Sequence, residues 1–183
     1  MKTHCPVAKL ERLVDYLDGL TARASMKQLH QQLTALDITT KDVEEFLFFS
    51  DGRYMRNLVC DGPFYHLLVM CWRSGQRSPI HNHAGSTCGL RVLTGTATET
   101  VFEPTPCSQL KAVSSHDMVA PEVVVTQDAN IHQISNLQKE GTDLVTLHIY
   151  SPPLLRMDTF SLTDRTVGEF RPMVDEHLHG SGI

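Results

Sequence analysis

The sequence predicts a mainly β protein, an antiparallel sandwich or β-barrel of jelly-roll type, behind an N-terminal helical segment. Two changes of texture carry this. Up to about residue 50 the apolar residues recur at helical spacing. From Arg53 onward the chain breaks into short strand-like runs separated by Gly, Pro, Asp and Asn, as closely connected antiparallel strands require.

Val7, Leu10, Leu13, Val14, Leu17 and Leu20 fall on one face of a first helix. Ser25-Met26-Lys27-Gln28 has capping-box form and opens a second helix with Leu29, Leu33 and Leu36 as its apolar stripe. A third, short helix should start near Thr39 or Thr40 and carry Val43, Phe46 and Leu47, ending at Ser50-Asp51-Gly52. Strands are expected near Tyr54–Cys60, Phe64–Trp72, Cys88–Thr94, Thr96–Phe102, Val123–Thr126, Ile131–Asn136 and Val145–Tyr150. Asp61-Gly62-Pro63 and Thr94-Gly95 read as hairpin turns. The expected organisation is a single domain: helices over residues 1–50, a barrel over 53–163, and a polar extension over 164–183 with His177 and His179 in a mobile tail.

A chain of 183 residues is of one-domain size and buries roughly 70% of its unfolded surface, so it needs no disulfide staple. Net charge is -5 with Lys and Arg scattered, which argues against nucleic acid and membrane surfaces as partners. The N-terminus has no continuous apolar run of signal-peptide kind, and Phe64–Trp72 is too short to span a bilayer. The five cysteines stand singly without a CxxC pair, against both a disulfide framework and a thiolate zinc site. A cytoplasmic, monomeric protein is the expectation.

The informative stretch is Ile80-His81-Asn82-His83. Histidines at i and i+2 share one side of an extended strand, so both rings can face one point inside a barrel. Neutral imidazole suits Fe, Zn, Cu and Ni, and the pair alone does not choose among them. Two polar residues on a solvent face is the plain alternative for an isolated pair.

Context adds weight. Gly75, His81, His83, Cys88 and Gly95 have the spacing that resembles the first cupin motif, with Cys88 where many cupins carry a glutamate ligand. His132-Gln-Ile-Ser-Asn136 has the form of the second motif, without its usual PxG approach. Three neutral ligands would leave a divalent charge uncompensated and favour an anionic partner such as a thiolate.

The segment from Cys71 to Glu103 resembles the metal-binding region of the thiol dioxygenases of the cupin superfamily, in particular bacterial-type cysteine dioxygenases. Tyr54-Met55-Arg56-Asn57-Leu58-Val59 and Thr146 through Pro153 resemble two further segments of that family, in matching order between about Lys41 and Phe160. The resemblance implies one Fe(II) per chain on His81, His83 and His132, with a small thiol and O2 as reactants and cysteine sulfinate as product. It implies that Arg56, beside Tyr54, receives the substrate carboxylate, that Tyr150 serves as catalytic and substrate-binding residue, and that His148 orients it. Cys88 matches a cysteine that in some members forms a thioether with the tyrosine at position 150, and Ser151-Pro152 matches a bond that is often cis.

Other readings are a dioxygenase of 3-mercaptopropionate, whose relatives generally carry glutamine in place of Arg56, and a non-catalytic metal-binding cupin. A zinc isomerase or hydrolase is a third, for which the motifs offer no general-base carboxylate. Cys60, Cys71, Cys107, His4, His30, His66 and His116 carry no motif, and Trp72 reads as core.

Overall fold

The computed structural model describes residues 4–107, 109–128 and 130–176, and in it the predicted helices and strands form. A 3-10 turn at Ala8–Leu10 leads into helix α1 (Glu11–Asp18), followed by α2 (Met26–Thr34) and a 3-10 segment at Thr40–Phe46. Leu13, Val14 and Leu17 of α1 and Leu29 and Leu33 of α2 are buried, on the faces that the periodicity marks. The capping box forms at a different helix from the one expected. Ser25 makes no side-chain capping bond, whereas the Thr39 N–H donates to Asp42 Oδ2 at 2.8 Å. A carboxylate three residues in is a stronger acceptor than the Gln28 amide, and the Thr39 N–H holds Asp42 below its ordinary pKa.

Eleven strands follow among the described residues: β1 (Met55–Gly62), β2 (Tyr65–Trp72), β3 (Ile80–His81), β4 (Thr87–Thr94), β5 (Thr96–Pro104), β6 (Leu110–Val119), β7 (Val123–Gln127), β8 (Ile131–Ser135), β9 (Leu144–Ser151), β10 (Met157–Phe160) and β11 (Val167–Phe170). They form two antiparallel sheets, in the orders β1-β2-β9-β4-β7 and β11-β10-β3-β8-β5-β6, the jelly-roll arrangement of the cupin fold. The strands that sequence reading missed lack an alternating signal. β3 has two residues, and β6 is an edge strand exposed along most of its length. His177 and His179 lie outside the described residues. The extension before them is built into the fold, with β11 paired to β10 and Asp175 bridged to Asn57.

Period-two alternation in the central strands places the core and the site. Tyr65, Leu67, Val69 and Cys71 of β2, with Val145, Leu147 and Ile149 of β9, pack against α1 and α2. Leu68, Met70 and Trp72 of β2, with Leu144 and Tyr150 of β9, turn into the barrel. Both faces are covered, which is why these strands read as nearly continuous apolar runs. Thr146 and His148 alternate with the helix-facing residues of β9 and so fall on the barrel side with Tyr150.

Gly95 makes the β4–β5 turn with φ +83°, and a Cβ there would lie 2.7 Å from the Asp143 carbonyl oxygen. Gly95→Ala should therefore destabilise the fold by about 2 kcal/mol or more through left-handed strain plus overlap, read as a lower denaturant midpoint. The Ser151–Pro152 bond is cis as expected, and Ala120–Pro121 is a second cis bond. Among the described residues no helix is long and apolar enough to cross a membrane.

Candidate metal centre

His81 ends β3 directly opposite His132 of β8, so strand register brings the two imidazoles together, tilted 48° to one another with ring centroids 4.7 Å apart. His83 arrives differently from the expected extended HxH strand. β3 ends at His81, and Asn82 is tied to Asp158 by its N–H to Asp158 O at 3.2 Å and by its side chain, which donates to Oδ2 at 2.9 Å and accepts from the Asp158 N–H at 3.2 Å. Ala84 and Gly85, at φ 44° and 94°, then turn the chain. The His83 N–H donates to Asp128 O at 3.3 Å. The outcome is the one sequence reading expected. Ligand-capable atoms of His81, His83 and His132 all lie within 4.8 Å of one another, and all three residues are buried.

The far side of each ring is engaged. His81 Nδ1–H donates to Pro79 O at 2.9 Å, His132 Nδ1–H to Glu99 Oε1 at 2.6 Å, and His83 Nδ1 shares a bond with Thr126 Oγ1 at 3.3 Å. Those bonds leave the Nε2 atoms facing inward, with His83 and His132 Nε2 3.2 Å apart. Burial, reinforced by the charge of His132, pushes His81 down to about 3 and His83 well below its ordinary value. Converging imidazoles, with His81 and His83 held neutral by burial, fit a divalent transition metal ion.

Glu99 escaped the sequence reading because it lies outside both motifs. It is 3% exposed, and its other oxygen lies 3.3 Å from His116 Nε2. Burial raises its carboxyl, but the His132 bond and the charges of His132 and His116 outweigh this, leaving it below the ordinary value. The centre thus has a negative charge one hydrogen bond behind His132, which three histidines alone would lack. The available signal was alternation: Ala97 faces the barrel, so Glu99, two residues on, does too.

β9 supplies the opposite wall. Trp72 Nε1–H donates to Thr146 Oγ1 at 3.0 Å, Thr146 Oγ1 lies 2.9 Å from His148 Nε2, and His148 Nδ1 lies 3.3 Å from the Tyr150 hydroxyl. Cys88 of β4 is directly opposite Tyr150. Burial pushes the Cys88 thiol up to about 12, a hydrogen bond from Tyr150 offsetting part of the rise, and burial raises Tyr150 likewise. Both keep their protons near neutral pH. Trp72 is core, as expected, and also props the site by stacking on Tyr54 at 4.2 Å.

Arg56 of β1 reaches the same cavity, its Cζ 5.1 Å from the Tyr150 ring centre. It is 3% exposed, yet among the described residues Nε and Nη2 have no hydrogen-bond partner. A buried cation with idle donors is costly unless an anion completes it. His148 is held well below its ordinary value by burial and by the Arg56 charge.

A jelly-roll barrel enclosing three converging imidazoles defines a metal-binding cupin. The family profile described as Cysteine dioxygenase type I matches residues 2–163, and the chain belongs to that family. Cysteine dioxygenase type 1 of Danio rerio is 29% identical over 164 residues, covering 84% of this chain and 81% of the relative. The Homo sapiens protein of the same name is 32% identical over 124 residues, covering 66% and 60%. Among solved structures, TT1209 from Thermus thermophilus aligns with a TM-score of 0.52 at 15% identity over 63% of this chain and 99% of its own, a likeness of fold.

Proposed function

We propose that this chain oxidises the thiol of L-cysteine to cysteine sulfinate with O2, using one Fe(II) held by His81, His83 and His132. The observation that carries the choice of substrate is the pair of idle, buried donors on Arg56 in the cavity that the three imidazoles share. Nε and Nη2 on one edge of a guanidinium match the two oxygens of a carboxylate. Bound iron supplies the one-electron chemistry by which O2 reacts with a thiolate.

The chain's own residues do the rest. Arg56 fixes the carboxylate end, so the sulfur comes to rest among the imidazoles in one orientation. The Arg56 charge also favours loss of the thiol proton. Tyr150 retains its proton and presents a donor to negative charge that develops on oxygen, with His148 and Thr146 aligning it from behind. Met70, Leu90 and Ile134 line the cavity and keep bulk water out. Glu99 fixes the His132 tautomer and strengthens it as a ligand. One chain supplies every group of the site, so a monomer suffices for the reaction. The chain works in a reducing cytoplasm, a placement supported by its free cysteines.

Anaerobic loading with Fe(II), then exposure to L-cysteine and O2, should yield one sulfinate per O2 consumed. Metal loading without oxygen uptake would leave a binding module instead. Glu99→Gln should weaken metal binding about 10–100-fold in competition with a chelator while the fold survives. Cys88 stands opposite Tyr150 in the β4–β9 register, which supports a thioether between them formed with O2 as the two-electron oxidant; intact-mass measurement after repeated turnover should show the loss of two hydrogens, abolished by Cys88→Ser.

A further inference from the structure

β1 is the outer strand of its sheet, and Arg56 pairs with Met70 on its inner side only. An edge residue turns backbone groups outward. At Arg56 they are taken by the C-terminal extension. The Asp175 N–H donates to Arg56 O at 2.9 Å, and the Arg56 N–H donates to Asp175 Oδ2 at 3.1 Å. The Leu58 N–H donates to Asp175 O at 3.0 Å. The same carboxylate accepts Arg53 Nη1 at 3.0 Å and Nη2 at 2.5 Å. The Asp175 carboxylate is thus the acceptor for three donors, two from the chain entering β1 and one from Arg56 itself.

The neighbouring residues reinforce the dock. Val174 packs against the barrel-side cluster, as Tyr54 and Leu58 do. Phe170 and Met173 line an outer chamber together with Arg53, Gln76, Tyr54 and Arg56. Tyr54 and Arg56 also line the inner cavity, so the outer chamber adjoins the site. β1 needs such support, because its register against β2 slips between Leu58 and Cys60, two residues beyond Arg56.

We propose that residues 170–175 are a strap that positions Arg56 from behind and walls the substrate approach, with Asp175 as a positioning residue for recognition of the substrate carboxylate. The proposal rests on the reading of Arg56 as the carboxylate receiver. A planar two-point contact fails when its base moves by a fraction of an ångström, and Asp175 fixes the backbone from which the guanidinium extends.

The test compares L-cysteine with 2-aminoethanethiol, which has the thiol and amine but no carboxylate, on the Fe(II)-loaded full chain. Anaerobic calorimetry gives Kd, and oxygen uptake gives KM and kcat. Asp175→Ala should raise Kd and KM for L-cysteine about tenfold, with kcat little changed and 2-aminoethanethiol binding within about twofold of the parent. Arg53→Ala, which removes the ion pair and spares the backbone bonds, should shift L-cysteine the same way by less. Equal weakening of both thiols, or unchanged L-cysteine binding, overturns the proposal. Should Asp175→Ala not fold, Asp175→Asn and Arg53→Ala decide by the same comparison. Arg56→Ala is the reference: if it too spares L-cysteine, the reading of Arg56 fails, whereas a selective loss there without one at Asp175 removes the strap alone.

Discussion

Replacing His132 with alanine should empty the centre and stop turnover, with oxygen uptake on L-cysteine falling on the order of a thousandfold. His132 is the residue most deeply tied into the site. It faces His81 across the β3–β8 pair, approaches His83 through Nε2, and receives Glu99 on Nδ1. Two remaining imidazoles cannot complete the three-point face, so iron per chain should drop to a small fraction of the parent value. The variant should also be less stable than the parent stripped of metal by chelation. Glu99 would keep only His116, itself half exposed, and a buried carboxylate that loses its main donor costs about 1–3 kcal/mol. Comparing metal-free forms separates that cost from the stabilisation that bound metal adds by mass action. Iron content and oxygen uptake left intact would show that His132 is no ligand.

The sequence exposes the ligands more readily than their support. His81, His83 and His132 are legible because their spacing resembles the two cupin motifs, and Tyr150, His148 and Thr146 because the segment from Thr146 to Pro153 resembles a family segment, although β9 itself is buried at every position. The helical stripes are legible because each has one buried face. What escapes depends on contacts distant in sequence. Glu99 becomes meaningful only when β5 pairs with β8, which brings it to His132 across 33 positions. Asp175 looks like one more charge in a polar extension until the chain returns along β1, 119 residues from Arg56. β3 and β6 defeat pattern reading outright, one being two residues long and the other solvated along most of its length. The Ser25 pattern does mark the start of α2, although its side chain forms no capping bond there.

Arg56→Met should separate function from stability, moving the two in opposite directions or one alone. A buried guanidinium with two idle donors adds nothing to the metal-free fold that a methionine of similar bulk would lose. The metal-free variant should therefore unfold at a denaturant midpoint no lower than the parent's. Catalysis should fall steeply. A charge-assisted two-point contact in a buried site is worth about 2–5 kcal/mol, so kcat/KM for L-cysteine should drop about a hundredfold, mostly through KM. The contrary result is equally definite: a midpoint lowered together with activity would make Arg56 a structural cation completing the Tyr54 and Tyr150 hydroxyls. Arg56→Gln refines the comparison, because an amide keeps a donor and gives up the charge. Its L-cysteine activity should fall between those of the parent and Arg56→Met, with less loss on 3-mercaptopropionate, which has no ammonium group to be placed. Equal turnover of both thiols by the parent would remove the preference for cysteine and leave Arg56 as a receptor for any short carboxylated thiol.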